Sequence, residues 1–316
     1  MIRKLALALI VLAILGGLSF WWLTSPVRLT EAEIAALPQG DAVAGLLIFN
    51  AGGCASCHAV PKSEGDKRFE LPGGVELKTP FGTFVAPNIS QHPEDGIGAW
   101  SLADFASAML KGVSEDGEHL YPAFPYISYA RMHPKDVADL YAFLKSTPAI
   151  AGRAPDHTIG FPFNIRRGLG LWKLMNLSPA PVVALPDGAS EQEMRGRYLV
   201  EGPGHCGECH SPRDFSGATL KDKWLSGAVA AEGPGIVPNI TSGEGGIGDW
   251  TEKDIAYYLE TGFTPDFDSV GGAMVEVQKN TAQLPAEDRE AIAAYLKAVP
   301  PRPNGYPAKT AETDSK

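Results

Sequence analysis

Gly53-Cys54-Ala55-Ser56-Cys57-His58 is the stretch on which the reading of this chain turns, and it returns as His205-Cys206-Gly207-Glu208-Cys209-His210. All four cysteines of the 316 residues fall in these two C-x-x-C-H segments. Two thiols three residues apart on one helical turn can each add to a vinyl group of one haem, and the histidine that follows then faces the iron. Tight disulfides or a thioredoxin-like redox pair would not require a histidine directly after the second cysteine, and neither predicts it twice. Structural zinc would need four ligands packed close in sequence. The spacing therefore predicts two covalently bound haem c groups, held by Cys54 and Cys57 and by Cys206 and Cys209, with His58 and His210 as iron ligands.

Outward from the two motifs, other landmarks recur in the same order about 150 residues later. Pro87-Asn88-Ile89 pairs with Pro238-Asn239-Ile240, and Gly96-Ile97-Gly98-Ala99-Trp100 with Gly246-Ile247-Gly248-Asp249-Trp250. Gly112 pairs with Gly262, and Tyr141-Ala142-Phe143-Leu144-Lys145 with Ala293-Ala294-Tyr295-Leu296-Lys297. Such a duplication predicts two domains, 40–150 and 188–300, joined by a linker over 151–187 and followed by a disordered tail over 301–316. Apolar residues at helical spacing before each Cys pair, after each Trp and before Pro148 and Pro300 predict short helices separated by loops. No segment alternates long enough to be a central strand, so the expected class is all-α. The linker carries Phe161-Pro162-Phe163-Asn164-Ile165-Arg166-Arg167 and is too aromatic to be floppy, so it is expected to pack between the domains.

The chain opens Met1-Ile2-Arg3-Lys4 and then runs uncharged to Pro26. Its strongly apolar part, Leu5 to Leu23, would reach roughly 28 Å as a helix, close to the hydrocarbon thickness of a bilayer. Arg3 and Lys4 place the start in the cytoplasm, and Trp21 and Trp22 fall at the far interface. A cleaved signal peptide is the competing reading, but the exit Leu18-Ser19-Phe20-Trp21-Trp22-Leu23 is bulky where a peptidase needs small residues. Residues 1–30 are therefore expected to form a single-pass anchor in a bacterial inner membrane, with everything after them in the periplasm. A formal net charge of −10 disfavours nucleic acid as a partner, because phosphate binding needs a basic footprint. The acidic excess is most simply a solvated surface, and it would also steer a basic partner in a salt-dependent way.

Six methionines are present, and two of them lie between the Trp helix and the last helix of a repeat. Met274, in Gly271-Gly272-Ala273-Met274, is the expected loop ligand of the second iron. Met132 is the expected ligand of the first. Strict repeat spacing instead pairs Met132 with Leu284 and Phe124 with Met274, which would make Met132 a packing residue; His119 and His133 are the substitutes. Trp100 and Trp250 read either as core aromatics or as indole donors to a haem propionate. Arg213 reads either as a propionate partner or as an exposed cation. The carbonyls of Pro87 and Pro238 are candidate acceptors for the Nδ1–H of the two ligating histidines.

Together with Thr79-Pro80-Phe81-Gly82, Tyr121-Pro122-Ala123-Phe124-Pro125-Tyr126 and Cys209-His210-Ser211-Pro212-Arg213, these motifs resemble the cytochrome c subunits of bacterial membrane-bound alcohol, aldehyde and gluconate dehydrogenases. The resemblance covers roughly residues 40–300. It implies tandem all-α cytochrome c domains after a transmembrane helix, His/Met iron, and electron flow from a periplasmic dehydrogenase toward a quinone, cytochrome or oxidase of the respiratory chain. By motif position it supports His58, His210 and Met274 as ligands. Family members commonly carry a third haem domain, which this sequence lacks, and the Tyr-Pro-Ala-x-Pro-Tyr segment can carry Met where this sequence has Phe124.

The expected function is thus a non-catalytic, membrane-anchored dihaem electron carrier. A dihaem peroxidase with one open haem is the alternative that Phe124 supports and the near-symmetric repeats oppose. A bare anchor protein for a complex is a third class.

Overall fold

The computed structural model describes residues 1–231 and 235–307. Helix α1 (Ile2–Leu23) runs through the whole apolar stretch with mean hydropathy 2.3 over its best window, and none of its residues is buried. It stops where Thr24 and Ser25 turn their hydroxyls back onto the carbonyls of Phe20 (2.6 Å) and Trp21 (2.9 Å) and Pro26 ends the run. A short helix, α2 (Glu31–Ala35), follows behind a Thr30/Glu33 capping box.

Next come α3 (Ala42–Ala51), capped by Asp41, and α4 (Cys54–His58), set off from it by Gly53 in the left-handed region at φ 56°. The strands β1 (Glu76–Thr79) and β2 (Gly82–Val85) then form a hairpin with Thr79 opposite Gly82. Helix α5 (Leu102–Lys111) starts at a Ser101/Asp104 capping box and ends at left-handed Gly112. Two more helices close this half, α6 (Tyr126–Tyr129) and α7 (Pro134–Leu144), the latter opened by proline at its first position. Helices α3 and α7 cross at Gly45, where a Cβ would lie 2.0 Å from the Asp139 carbonyl oxygen. The fully buried Phe49, Leu71, Ala106 and Val137 pack a first hydrophobic core, whose rings Phe49 and Phe143 meet at 5.1 Å.

Residues 151–187 contribute β3 (Thr158–Ile159), which adds to β2, and α8 (Gly168–Asn176). The Trp172 indole in α8 donates to the Ser216 carbonyl (3.1 Å), while Lys173 donates to the Lys111 carbonyl (2.9 Å), so this segment touches both halves.

The second half repeats the order. Helix α9 (Glu191–Glu201) leads to α10 (Gly207–His210); β4 (Ala228–Val229) and β5 (Ile236–Val237) pair antiparallel; then come α11 (Glu252–Thr261), α12 (Met274–Thr281) and α13 (Ala286–Ala298). A Thr251/Asp254 capping box and left-handed Gly262 bound α11 as their counterparts bound α5. Gly196 lets α9 cross α13, with a Cβ there placed 1.8 Å from the Ala291 carbonyl oxygen. A separate core gathers Leu199, Val200, Leu225, Ala293 and Tyr295.

Two expectations are corrected. The chain is mostly helical but not purely so: its strands run two to four residues, too short for period-two alternation to register in the sequence. The tail was expected to be disordered from residue 301, yet residues 301–307 are packed. Arg302 N–H donates to Thr241 Oγ1 (3.0 Å), Asn239 Nδ2 donates to the Arg302 carbonyl (2.9 Å), and Gly305 N–H to the Ser226 carbonyl (2.9 Å). Residues 308–316 lie outside the described residues.

Candidate functional site

The two C-x-x-C-H segments are built alike. Each puts both cysteines and the histidine on about one turn of helix, α4 in one case and Cys206 with α10 in the other. His58 Nδ1 lies 2.8 Å from the Pro87 carbonyl oxygen, and His210 Nδ1 lies 2.8 Å from that of Pro238. A carbonyl only accepts, so each Nδ1 must carry the proton, which leaves the Nε2 lone pair available to a metal. Burial pulls both imidazoles below their usual value and the proline carbonyls only partly oppose it, so the neutral, ligating form is favoured. The backbone repeats the match: Gly73 N–H donates to the His58 carbonyl (2.8 Å) and Gly227 N–H to that of His210 (2.7 Å).

No disulfide joins any of the four cysteines. Desolvation pushes the Cys54 and Cys206 thiols up to about 12, the opposite of what a redox-active thiol needs. Cys54 and Ala55 pack on the first core, and Cys206 packs on the second, so each motif presents its sulfur to an apolar wall. Among the described residues no three His, Cys, Asp or Glu side chains converge on a metal by themselves. One neutral imidazole beside two cysteines and an apolar face suits an iron that brings its own macrocycle. The residues present therefore fit haem c.

The remaining expected residues are distributed unevenly. Met132 is only 4% exposed and belongs to the core that Cys54 packs against, together with Trp100 and Phe124. Met274 is half-buried against the core that holds Cys206 and Trp250. It is the first residue of α12 rather than the loop residue expected, because the chain already turns helical at Ala273. Met132 and Leu284 occupy matching places two residues before the last helix of each half. Their N–H groups close matching turns onto Tyr129 (2.9 Å) and Thr281 (3.1 Å). Phe124 lays its ring against Tyr129, 5.4 Å between centroids.

The Trp100 carbonyl accepts the Tyr141 hydroxyl at 2.8 Å. Trp250 sits edge-on to Tyr258 at 5.5 Å. Arg213, expected to be either a propionate partner or an exposed cation, bonds within the chain to the Glu208 carboxylate (2.6 Å), the Glu208 carbonyl (2.8 Å) and the Gly217 carbonyl (2.7 Å). This fork braces α10 against the loop that follows it. His119 is buried and bonded through Nε2 to the Thr24 carbonyl oxygen (2.9 Å) at the end of α1, and His133 is exposed and stacked on Tyr198 at 4.2 Å.

Sequence reasoning missed the contacts between the motifs. His205 stands where the first motif has Gly53, and it takes the same left-handed turn at φ 40° despite its side chain. Its Nε2 lies 3.2 Å from the Gly52 carbonyl oxygen, and its ring meets the edge of Tyr129 at 5.7 Å. Asn280 accepts from Arg68 (2.7 Å) and donates to Ser56 inside the first motif (2.9 Å). The missed signal was the mismatch itself, a histidine where the repeat places a glycine. Trp224 was also missed: its ring is pressed on Gly207 so closely that a Cβ there would fall 2.0 Å away.

Residues 42–148 match the cytochrome c family. The chain is 51% identical over 298 residues to a protein of Cereibacter sphaeroides described as diheme cytochrome c-type, covering 94% of this chain and 99% of that one. It is 36% identical over 287 residues to the cytochrome c subunit of the quinone alcohol dehydrogenase of Gluconobacter oxydans, covering 87% of this chain and 57% of that one. To the gluconate 2-dehydrogenase cytochrome c subunit of Pantoea cypripedii it is 34% identical over 299 residues, covering 90% and 64%. The chain thus spans the whole of the first relative and under two thirds of the other two.

Proposed function

Since the chain belongs to the dihaem members of the cytochrome c family and carries two covalently bound haem c groups, we propose that it is a membrane-anchored relay passing single electrons from a dehydrogenase to the respiratory chain. The haem iron supplies the one-electron ferric–ferrous couple. The rest is the work of this chain's residues. Cys54 and Cys57, and Cys206 and Cys209, fix each group in place, and Pro87 and Pro238 hold the tautomer of His58 and His210. Met274 offers its thioether to the second iron and Met132 to the first, within the cores that already hold Cys206 and Cys54. Residues 40–150 and 188–300 act as two cytochrome c domains, and α1 tethers them at the periplasmic face with Arg3 and Lys4 left in the cytoplasm.

The observation that carries this reading is the contact between the motifs. His205, next to Cys206, reaches the backbone two residues before Cys54, and Asn280 bonds Ser56 between the two cysteines of the first motif. Two redox groups held by abutting backbone suit transfer between them. The dehydrogenase donor and the quinone, cytochrome or oxidase acceptor are proposed from what the relatives are called, and the substrate is that of the partner.

The test is a redox titration in the near infrared, reading the Met–iron charge-transfer band in the wild type, Met274→Leu and Met132→Leu. Each variant is expected to lose half of the band intensity. An unchanged Met132→Leu spectrum removes that ligand and leaves Met132 as the packing residue that its match with Leu284 favours. Carbon monoxide added to the reduced wild type is expected to leave both haem spectra unchanged. A haem that binds it overturns the relay in favour of the peroxidase-like enzyme, the reading that Phe124 in place of a methionine supports.

A further inference from the structure

Helix α8 is inside out for a helix in water. Its lysine is buried: Lys173 is 7% exposed, donates to the Lys111 carbonyl (2.9 Å) and to that of Gly112, and lies 4.8 Å from the face of Tyr126. Its aliphatic residues face outward instead, with Leu171 at 48%, Leu174 at 60% and Met175 at 68% exposure. The spacing of these three puts them on one side of the helix. The loop before it adds exposed Phe161, Phe163 and Ile165. Exposed apolar side chains gathered in this way on one helix side and the loop before it mark an interaction surface, and the question is what covers it.

The answer lies in what α8 is bolted to. Arg167, the residue before α8, lies 4.0 Å from the Trp21 ring of α1. Its guanidinium donates to Thr24 Oγ1 (3.0 Å), to Ser25 Oγ (2.9 Å) and to the Trp21 carbonyl. Gly170 then brings the α8 backbone against Thr24, so close that a Cβ would fall 2.4 Å from the Thr24 carbonyl oxygen. His119 grips that same carbonyl from the other side (2.9 Å). The level of α8 along α1 is therefore fixed at residues 21–25, where the indoles of Trp21 and Trp22 mark the boundary between hydrocarbon and headgroups. A soluble protein partner would need no such tie to the end of the membrane helix; a bilayer surface is there already.

We propose that the outer face of α8, with Phe161, Phe163 and Ile165, lies in the headgroup region of the bilayer that α1 spans, as a second membrane contact that fixes how the two haem domains stand over the membrane. The face adjoins the end of α1, where Gly170 packs on Thr24, and interfacial helices lay such an apolar side into the boundary of headgroups and acyl chains. This inference rests on the reading of α1 as a retained anchor, and the experiment separates the two. It uses the full, haem-loaded chain, one copy per nanodisc of phosphatidylethanolamine and phosphatidylglycerol. Leu12→Cys, Leu174→Cys and Phe267→Cys variants are reacted with a charged, water-soluble maleimide, and the adducts are counted by mass spectrometry. Phe267 is 86% exposed and serves as the aqueous reference.

Leu12→Cys is expected to stay unreacted, and Leu174→Cys to react about tenfold or more slowly than Phe267→Cys. A lipid carrying a photoreactive diazirine at its upper acyl carbons is expected to leave its mass on residues 161–175. Rapid reaction at Leu174→Cys with Leu12→Cys silent overturns the second contact and leaves the anchor standing. Rapid reaction at Leu12→Cys overturns the anchor itself. Protection at Leu174→Cys without a lipid adduct also overturns the proposal, because something other than lipid then covers the face.

Discussion

Glycine decides the closest contacts of this molecule. At Gly45 and Gly196 one helix lies directly on a carbonyl of another, and the missing Cβ is the reason the helices can cross there. Gly196→Ala is expected to destabilise the haem-loaded protein by about 1–3 kcal/mol, because a methyl 1.8 Å from the Ala291 carbonyl oxygen must force α9 and α13 apart. Thermal denaturation checks it, with Gly168→Ala as the control. Gly168 opens α8 with nothing within 4 Å, so alanine there is expected to leave the midpoint unchanged or raise it slightly. The C-x-x-C-H segments were legible, since the pattern is local and its two cysteines and histidine lie on one turn. The bond from Arg213 to Glu208 was not. A guanidinium with no apolar pattern around it carries no sign that it will meet the carboxylate five residues away, and only folding closes that fork.

Among the elements, the helices were readable because capping boxes, left-handed glycines and apolar spacing agree at their ends. The strands were not, for want of length. Helix α8 shows how an element can contradict its own sequence logic, with a lysine in and leucines out. Burial draws Lys173 down to about 7 from the ordinary ~10.4. The folded chain therefore binds this proton less readily than the unfolded chain does. The resulting penalty is fully present below about 7 and fades as pH rises toward ~10.4, so this residue makes stability increase with pH across that window. Wild type is expected to gain on Lys173→Met in chemical denaturation as pH is raised from about 7 to about 10. Parallel curves for the two proteins would mean that the amine keeps its proton against the carbonyls of Lys111 and Gly112, the Tyr126 face and the nearby His119 imidazole.

At the scale of the whole molecule, the two halves meet through a few polar bonds that straddle the motifs. Asn280→Leu removes the acceptor of Arg68 and the donor to Ser56, and Tyr198 still bonds Asp136 across the same junction. Losing one such buried site is expected to cost about 1–3 kcal/mol and to split a single calorimetric transition toward two. One transition at an unchanged midpoint would show that the halves are coupled elsewhere. By itself the sequence determined the covalent attachment of two haems, the duplicated order of landmarks and one apolar span at the start, because each of these is written in local spacing or composition. Only tertiary structure decided that the motifs abut through His205 and Asn280, and that α8 turns its apolar face outward beside α1. Those outcomes depend on which surfaces meet across 100 residues or more, and the pairing is selected by shape and by the need to satisfy buried polar groups, neither of which a one-dimensional pattern carries.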